Sequence, residues 1–230
     1  MALAIAQAIE DQNESGSSFD ATINCTGSNT VLLVFTLCYN GASVSVQPTG
    51  VTYNGDALTH IRTDVYSTGG ERQGNSAWYR IAPDTGSNTI TVTMAGTVDN
   101  CDIYAICFTG ADQTSPIDAN DGLVQQGSTV DPITKSITTV AADCYVASAM
   151  NFWSGGGGAV DEVYMTEFAN THIGFNVGAY SGTHSAGSVT HSYSRGSADE
   201  GVITLVSVKP LSATTSIKDM IGGGFILFPR

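Results

Sequence analysis

VLLVFTL, residues 31–37, holds six apolar side chains around one threonine. The run is short for a helix. It reads as a strand in the middle of a sandwich, buried on one face and crowded on the other. Around it the pattern changes. Ile90–Met94 (ITVTM) alternates apolar residues with threonine, the period-2 signature of a half-exposed strand. Asp102–Phe108, Cys144–Met150, Ile173–Tyr180 and Val202–Val208 are also strand-like. Turn markers fall between them: Asn54-Gly55, Thr68-Gly69-Gly70, Pro83–Gly86 and Gly155–Gly158. Asn54-Gly55 is the strongest hairpin signal, because a two-residue type I′ turn needs positive φ at both positions. Roughly a dozen short strands so punctuated predict an all-β fold, an antiparallel two-sheet β-sandwich of jelly-roll-like form. No repeat of 20–50 residues is visible.

The chain has 230 residues, of which 13% are charged, with a formal net charge of −13. Ordinary domains carry about 25% charged residues. Serine, threonine, asparagine and glycine take their place here, a surface common in extracellular and virion β-proteins. With only 8 Lys and Arg, neutralisation of a nucleic-acid backbone is not expected. No apolar run reaches the 18 residues a membrane span needs. MALAIAQAIEDQNESG lacks the basic start of a signal peptide and turns acidic by Glu10.

The reading divides the chain into an N-terminal arm (1–16), one sandwich domain (17–210) and an apolar tail (211–230). Ala2–Glu10 is a short helical turn or an ordered arm, and Thr215–Ile221 is a second short helix candidate. The 5 cysteines (Cys25, Cys38, Cys101, Cys107, Cys144) show no CxxC spacing. They read either as buried thiols acting as small apolar groups or as partners in a disulfide.

Candidate chemistry is thin. SGTHSAGS (181–188) imitates a nucleophile elbow, but Thr183 stands where the tight turn needs glycine and no helix follows. His60, His172, His184 and His191 have no zinc-binding spacing, although His184 and His191 flank a turn that would pair them. Asp118, Asn120 and Asp121, followed by Gly122, resemble the front of a calcium loop. The expected glutamate is replaced by Ser128. Asp161, Glu162, Glu167, Asp199 and Glu200 are the acids from which a glycoside-hydrolysing pair would be drawn. Among the aromatics, Trp153, beside the glycine run 155–158, and Tyr164 are the candidate ligand contacts. Trp78-Tyr79 lies in a strand, so at least one of the two faces the core. No cofactor is expected.

Four stretches carry a resemblance: GVTYNGDALT (50–59), SAWYRIAPDTGSNTITVT (76–93), YAICFTGADQTSPID (104–118) and VITLVSVKP (202–210). In this order they are similar to a class of phage and bacterial surface β-sandwich proteins. Ala111 departs from that class by replacing the usual valine of a G-V-D-Q turn. The resemblance implies a jelly-roll-like scaffold and a structural or surface role, with no catalytic residues.

The segment IKDMIGGGFILFPR (217–230) is apolar in an acidic chain. Burying its side chains roughly offsets the entropy of ordering its backbone, so it gains most from a partner. Phe225–Phe228 suits strand addition at an open sheet edge. Ile217, Met220, Ile221, Phe225, Ile226, Leu227 and Phe228 are therefore the expected partner-binding residues. The expected function is a phage virion structural protein: a capsid decoration or cement protein, or a head–tail accessory, assembled in the host cytoplasm. Its partners would be other virion proteins and itself as a homo-oligomer. The alternatives are an extracellular adhesin or carbohydrate-binding module, a self-assembling filament subunit, and a sandwich hydrolase, which is the least favoured.

Overall fold

A computed structural model of the protein describes residues 2–153, 158–160, 165–171 and 176–212. Among these there is no helix, and all pairing is antiparallel. The first half comprises β1 (Ala4–Asp11), β2 (Gly16–Cys25), β3 (Val31–Asn40), β4 (Gly50–Tyr53), β5 (Asp56–Ala57), β6 (Thr59–Thr68), β7 (Glu71–Ile81), β8 (Gly86–Val98) and β9 (Asn100–Thr109). The second comprises β10 (Ile117–Val130), β11 (Ile133–Thr139), β12 (Cys144–Phe152), β13 (Ala159–Val160), β14 (Met165–Thr171), β15 (Asn176–His184), β16 (Gly187–Ser194) and β17 (Asp199–Val208). The all-β, antiparallel expectation holds, and Asn54-Gly55 makes the hairpin turn of β4–β5 with φ of 52° and 84°. Ala2–Glu10 is not helical. Its residues form β1, paired along β9 from Asp11↔Ile103 to Ala4↔Thr109.

Among the described residues four sheets are present where two were expected. In the first half, β1-β9-β3-β7-β6 faces β2-β8-β4-β5. In the second, β10-β17-β12-β15-β14 faces β11-β16-β13. Three apolar cores separate them. The first, with Phe19, Ile23, Val34, Val92 and Ile103, fills one sandwich. The third, with Ile133, Ile137, Met150, Val189 and Leu205, fills the other. The second core lies between the two five-stranded sheets and joins Leu33, Phe35 and Phe108 to Ala147, Ala149 and Val206. The layers therefore run outer, inner, inner, outer.

This stacking explains VLLVFTL. Leu33, Phe35 and Leu37 point into the central core, while Leu32 and Val34 point into the first sandwich. A strand buried on both faces has no polar side, so its sequence is a continuous apolar run. β8, in an outer sheet, alternates because one of its faces meets water.

The two halves repeat one another. Replacing β1, β9, β3, β7, β6 by β10, β17, β12, β15, β14 converts one inner sheet order into the other, and β2, β8, β4 map onto β11, β16, β13. The registers agree residue by residue. Leu37 lies beside Asn75 as Asn151 lies beside Asn176, and Cys25 opposes Gly86 as Thr139 opposes Gly187. Even the bulges recur: Ile5/Gln7 matches Ile117/Ala119, and His60/Arg62 matches Glu167/Ala169. An extra residue in a strand is a specific local feature. Its recurrence at two matched places marks the chain as a tandem duplication of one sandwich.

Hydrogen bonds cross the central core in both directions. The Asn75 side-chain amide donates to the carbonyls of Ala149 at 3.0 Å and Val202 at 2.9 Å. Its counterpart Asn176 donates to Asp102 Oδ2 at 2.7 Å. Thr204 Oγ1 donates to Asp64 Oδ2 at 2.6 Å, and Arg62 Nε donates to the same oxygen at 2.8 Å.

Gly178 tests the tightness of this contact. A Cβ there would lie 2.8 Å from Tyr104 Cδ2 of the facing half and 3.0 Å from both Ala169 and Phe168. Gly178→Val is expected to cost about 1–3 kcal/mol by overpacking. Urea denaturation should show one cooperative transition at a lower midpoint. A midpoint equal to the parent's would mean that the halves are not closely packed there.

Candidate functional site

The linker between the halves, the N-terminal strand and the segment after β17 converge on one spot. Leu211 N donates to Gly110 O at 2.8 Å, Asp112 N to Lys209 O at 3.1 Å, and Lys209 N to Pro116 O at 2.9 Å. Ala111 and Pro210 form an isolated bridge. Gly110 is required here. Its φ is +71°, and a Cβ would stand 2.3 Å from Ala2 O. Asp112 accepts the amides of Thr114 and Ser115 at 2.8 and 2.9 Å, which holds its carboxyl below the usual range and tightens the linker turn. An open groove of about 780 Å³ lies alongside, lined by Ala2, Leu3, Ala142, Lys209 and Leu211 among others. Val140, 77% exposed, stands next to this lining in sequence.

The predicted residues fall in different places. Ile217, Met220, Ile221, Phe225, Ile226, Leu227, Phe228 and Tyr164 lie outside the described residues, as do Asp161, Glu162 and His172. Trp153 is half-buried at the joint of the halves. Its ring meets Tyr66 edge-on at 4.9 Å and Tyr39 at 6.1 Å, and its amide donates to Glu200 O at 2.8 Å. The Tyr66 hydroxyl donates to Glu200 Oε2, and that bond, with burial, raises the phenol's pKa. Trp153 thus packs one half against the other. Trp78 is buried in the first core, as alternation requires of one residue of its pair.

The calcium-loop reading of Asp118, Asn120 and Asp121 does not survive. All three lie on strand β10, and each is bonded to a different element. Asp118 accepts the amides of Val140 and Ala141 at 2.7 and 3.1 Å. Asn120 accepts from Arg62 at 3.3 Å, and Asp121 pairs with Lys135 at 2.9 Å. Among the described residues no group of three or more His, Cys, Asp or Glu is placed to hold a metal ion. SGTHSAGS is the β15–β16 hairpin, not a strand–turn–helix elbow. Of the remaining acids, Glu167 accepts the Val160 amide at 3.3 Å, and Asp199 is fully buried against Arg195 at 2.7 Å.

One buried cluster was not foreseen. Ser148, Ser181, His191 and Tyr193, all with 0% exposure, join the half-buried His184 in a hydrogen-bonded chain inside the second sandwich. Only the proximity of His184 and His191 across a turn hinted at it. Ser148 lies on the apolar-looking strand β12, and Tyr193 on the polar strand β16, and neither gave a signal. No family model, curated protein or solved structure matches this chain.

Both readings of the cysteines apply, to different residues. Cys38 and Cys101 form a disulfide across β3–β9, whereas Cys25, Cys107 and Cys144 are free and buried. Cys107 is held as a thiol by its hydrogen bond with Cys25 and by burial, and burial pushes Cys144 up to about 11. A chromogenic thiol reagent at pH 8 should find essentially no reactive thiol in the folded chain and three after denaturation without reductant. A count of five would mean that the disulfide is absent.

Proposed function

We propose that this protein is a virion structural protein whose rigid double sandwich is attached to neighbouring subunits by the apolar segment 217–228. The supporting observation is the convergence at the joint. Residues 209–212 leave the fold beside Ala2–Leu3 and the inter-half linker, fastened there by three backbone hydrogen bonds. A tether fixed at the joint of two sandwiches transmits load to both. The low-charge, threonine- and serine-rich outer strands and the four motif stretches that resemble phage and bacterial surface sandwiches fit this role. We read each half as a jelly roll. The orders β1-β9-β3-β7 and β2-β8-β4-β5, with β6 appended, support that finer assignment.

Light scattering on the full chain and on a version ending at Ser212 tests the reading. The full chain should self-associate or co-sediment with virus shells. The shortened chain should remain a monomer with an unchanged melting temperature, because its three cores are complete. If both versions are monomers and neither binds shells, the proposal fails.

A further inference from the structure

The two halves serve as controls for each other. Val34 on β3 lies between Trp78 and Ala105, and its counterpart on β12 is Ser148, between Ala179 and Leu205. Ile90 opposes Ala21 on β8, and the matching residue of β16 is His191, opposite Lys135. Val92 opposes Phe19, and its match is Tyr193, opposite Ile133. One scaffold thus closes the same core positions with Val, Ile and Val in its first copy and with Ser, His and Tyr in its second. The fold itself does not require the polar version. A buried polar chain is tolerated only when its members bond one another.

They do. Ser148 Oγ meets both His191 Nδ1 and the Tyr193 hydroxyl, the latter at 2.6 Å. His191 Nε2 is 2.8 Å from Ser181 Oγ, and His184 Nε2 is 2.8 Å from that same oxygen. The half-buried His184 therefore connects the fully buried His191 to the edge of the sandwich through one hydroxyl.

The titratable surroundings of His191 come from each packed strand. β11 supplies Lys135, directly opposite, whose ammonium is paired with Asp121 of β10. β15 supplies His184, β14 supplies Glu167, and β16 itself supplies Tyr193. β12 supplies Ser148 and, opposite His184, the Cys144 thiol. β17 presents the apolar Ile203 and Leu205, and the described residues of β13 are Ala159 and Val160. A second cation beside Lys135, in a fully buried position, is disfavoured.

We propose that this chain is an acid-release device: in a mildly acidic medium, protonation of His184 and His191 loosens the outer sheet β11–β16–β13 while the first sandwich stays closed. Burial, with His184 adding to it, holds His191 at about 3 in the closed form, and burial also lowers His184. An exposed histidine titrates near 6.5. Above about 6.5 neither state is protonated, and the contribution to closure is complete. As pH falls further, the opened state takes up protons that the closed state refuses, and closure is lost progressively towards the lower value. Each histidine removes up to about tenfold from the closed-to-open ratio per pH unit.

Hydrogen exchange of the full chain at pH 7.5 and 5.5, corrected for intrinsic rates, tests this directly. Amides of β11 and β16 should lose about tenfold or more in protection at the lower pH, with β2 and β8 unchanged. The triple change Ser148→Val, His191→Ile and Tyr193→Val, which copies the first half, should abolish the difference. Equal loss in both sandwiches, or a triple variant as acid-sensitive as the parent, would overturn the proposal. Should the variant not fold, NMR titration of the unaltered chain decides. In the closed form the His191 ring should stay neutral down to pH 5, with the protonated ring seen only in the opened form of β11 and β16, and an ordinary midpoint near 6.5 in the closed form would sink the idea.

Discussion

The contact between the two inner sheets is the constraint on which the other features depend. Once two sandwiches pack face to face, each inner sheet loses its solvent face. Its strands must be largely apolar on both sides, and a polar group that faces the interface is stabilised by a partner across it. Asn75, Asn176 and Asp102 meet that requirement by bonding to the opposite half. The outer sheets escape the constraint and keep their threonines and serines. The joint also dictates geography. The linker, β1 and the segment leaving β17 all reach it, so the groove and the exit of the tail lie where the halves meet.

Duplication accounts for the shared architecture, and divergence accounts for the chemistry. Registers and bulges are backbone properties and have been kept. Side chains differ at many of the matched positions. At the position of the Cys38–Cys101 pair the second copy carries Phe152 opposite Gly201, so no covalent cross-strand link joins that pair. At Val34, Ile90 and Val92 the first copy packs apolar groups where the second holds a hydrogen-bonded chain.

Strand content, antiparallel pairing and the β4–β5 turn were legible because each rests on a local rule: continuous or alternating apolarity, and Asn-Gly at a tight turn. The four-layer arrangement was not. VLLVFTL announces burial on both faces, but the sequence does not name what covers the second face. The repeat was hidden because matched core positions hold Val against Ser, Ile against His and Phe against Ala, while the conserved quantities, register and bulge position, leave no letters behind. Asp118, Asn120 and Asp121 misled for a related reason. Close spacing gathers oxygen ligands in a loop, whereas on β10 the three side chains are drawn to three different partners. Trp153 was singled out as a candidate ligand contact, but the joint it packs into did not exist in a one-sandwich reading.

Side-chain sizes across the central core show what fusing two copies in one chain allows. On β3 and β9 the first half presents Leu33, Phe35, Tyr104, Ile106 and Phe108. The matching residues of the second half are Ala147, Ala149, Thr204, Val206 and Val208, smaller at each of these places, while Tyr145 is larger than its match Val31. Bulky residues of one sheet therefore fill space left by small residues of the other, as dense packing demands. Two copies of the first half, set face to face in this way, would collide ring on ring. Two copies of the second would leave voids. A symmetric dimer must use one surface for both partners, whereas a fused pair is free to make them complementary. The same freedom lets a single sandwich hold the histidine chain while its twin remains an apolar core.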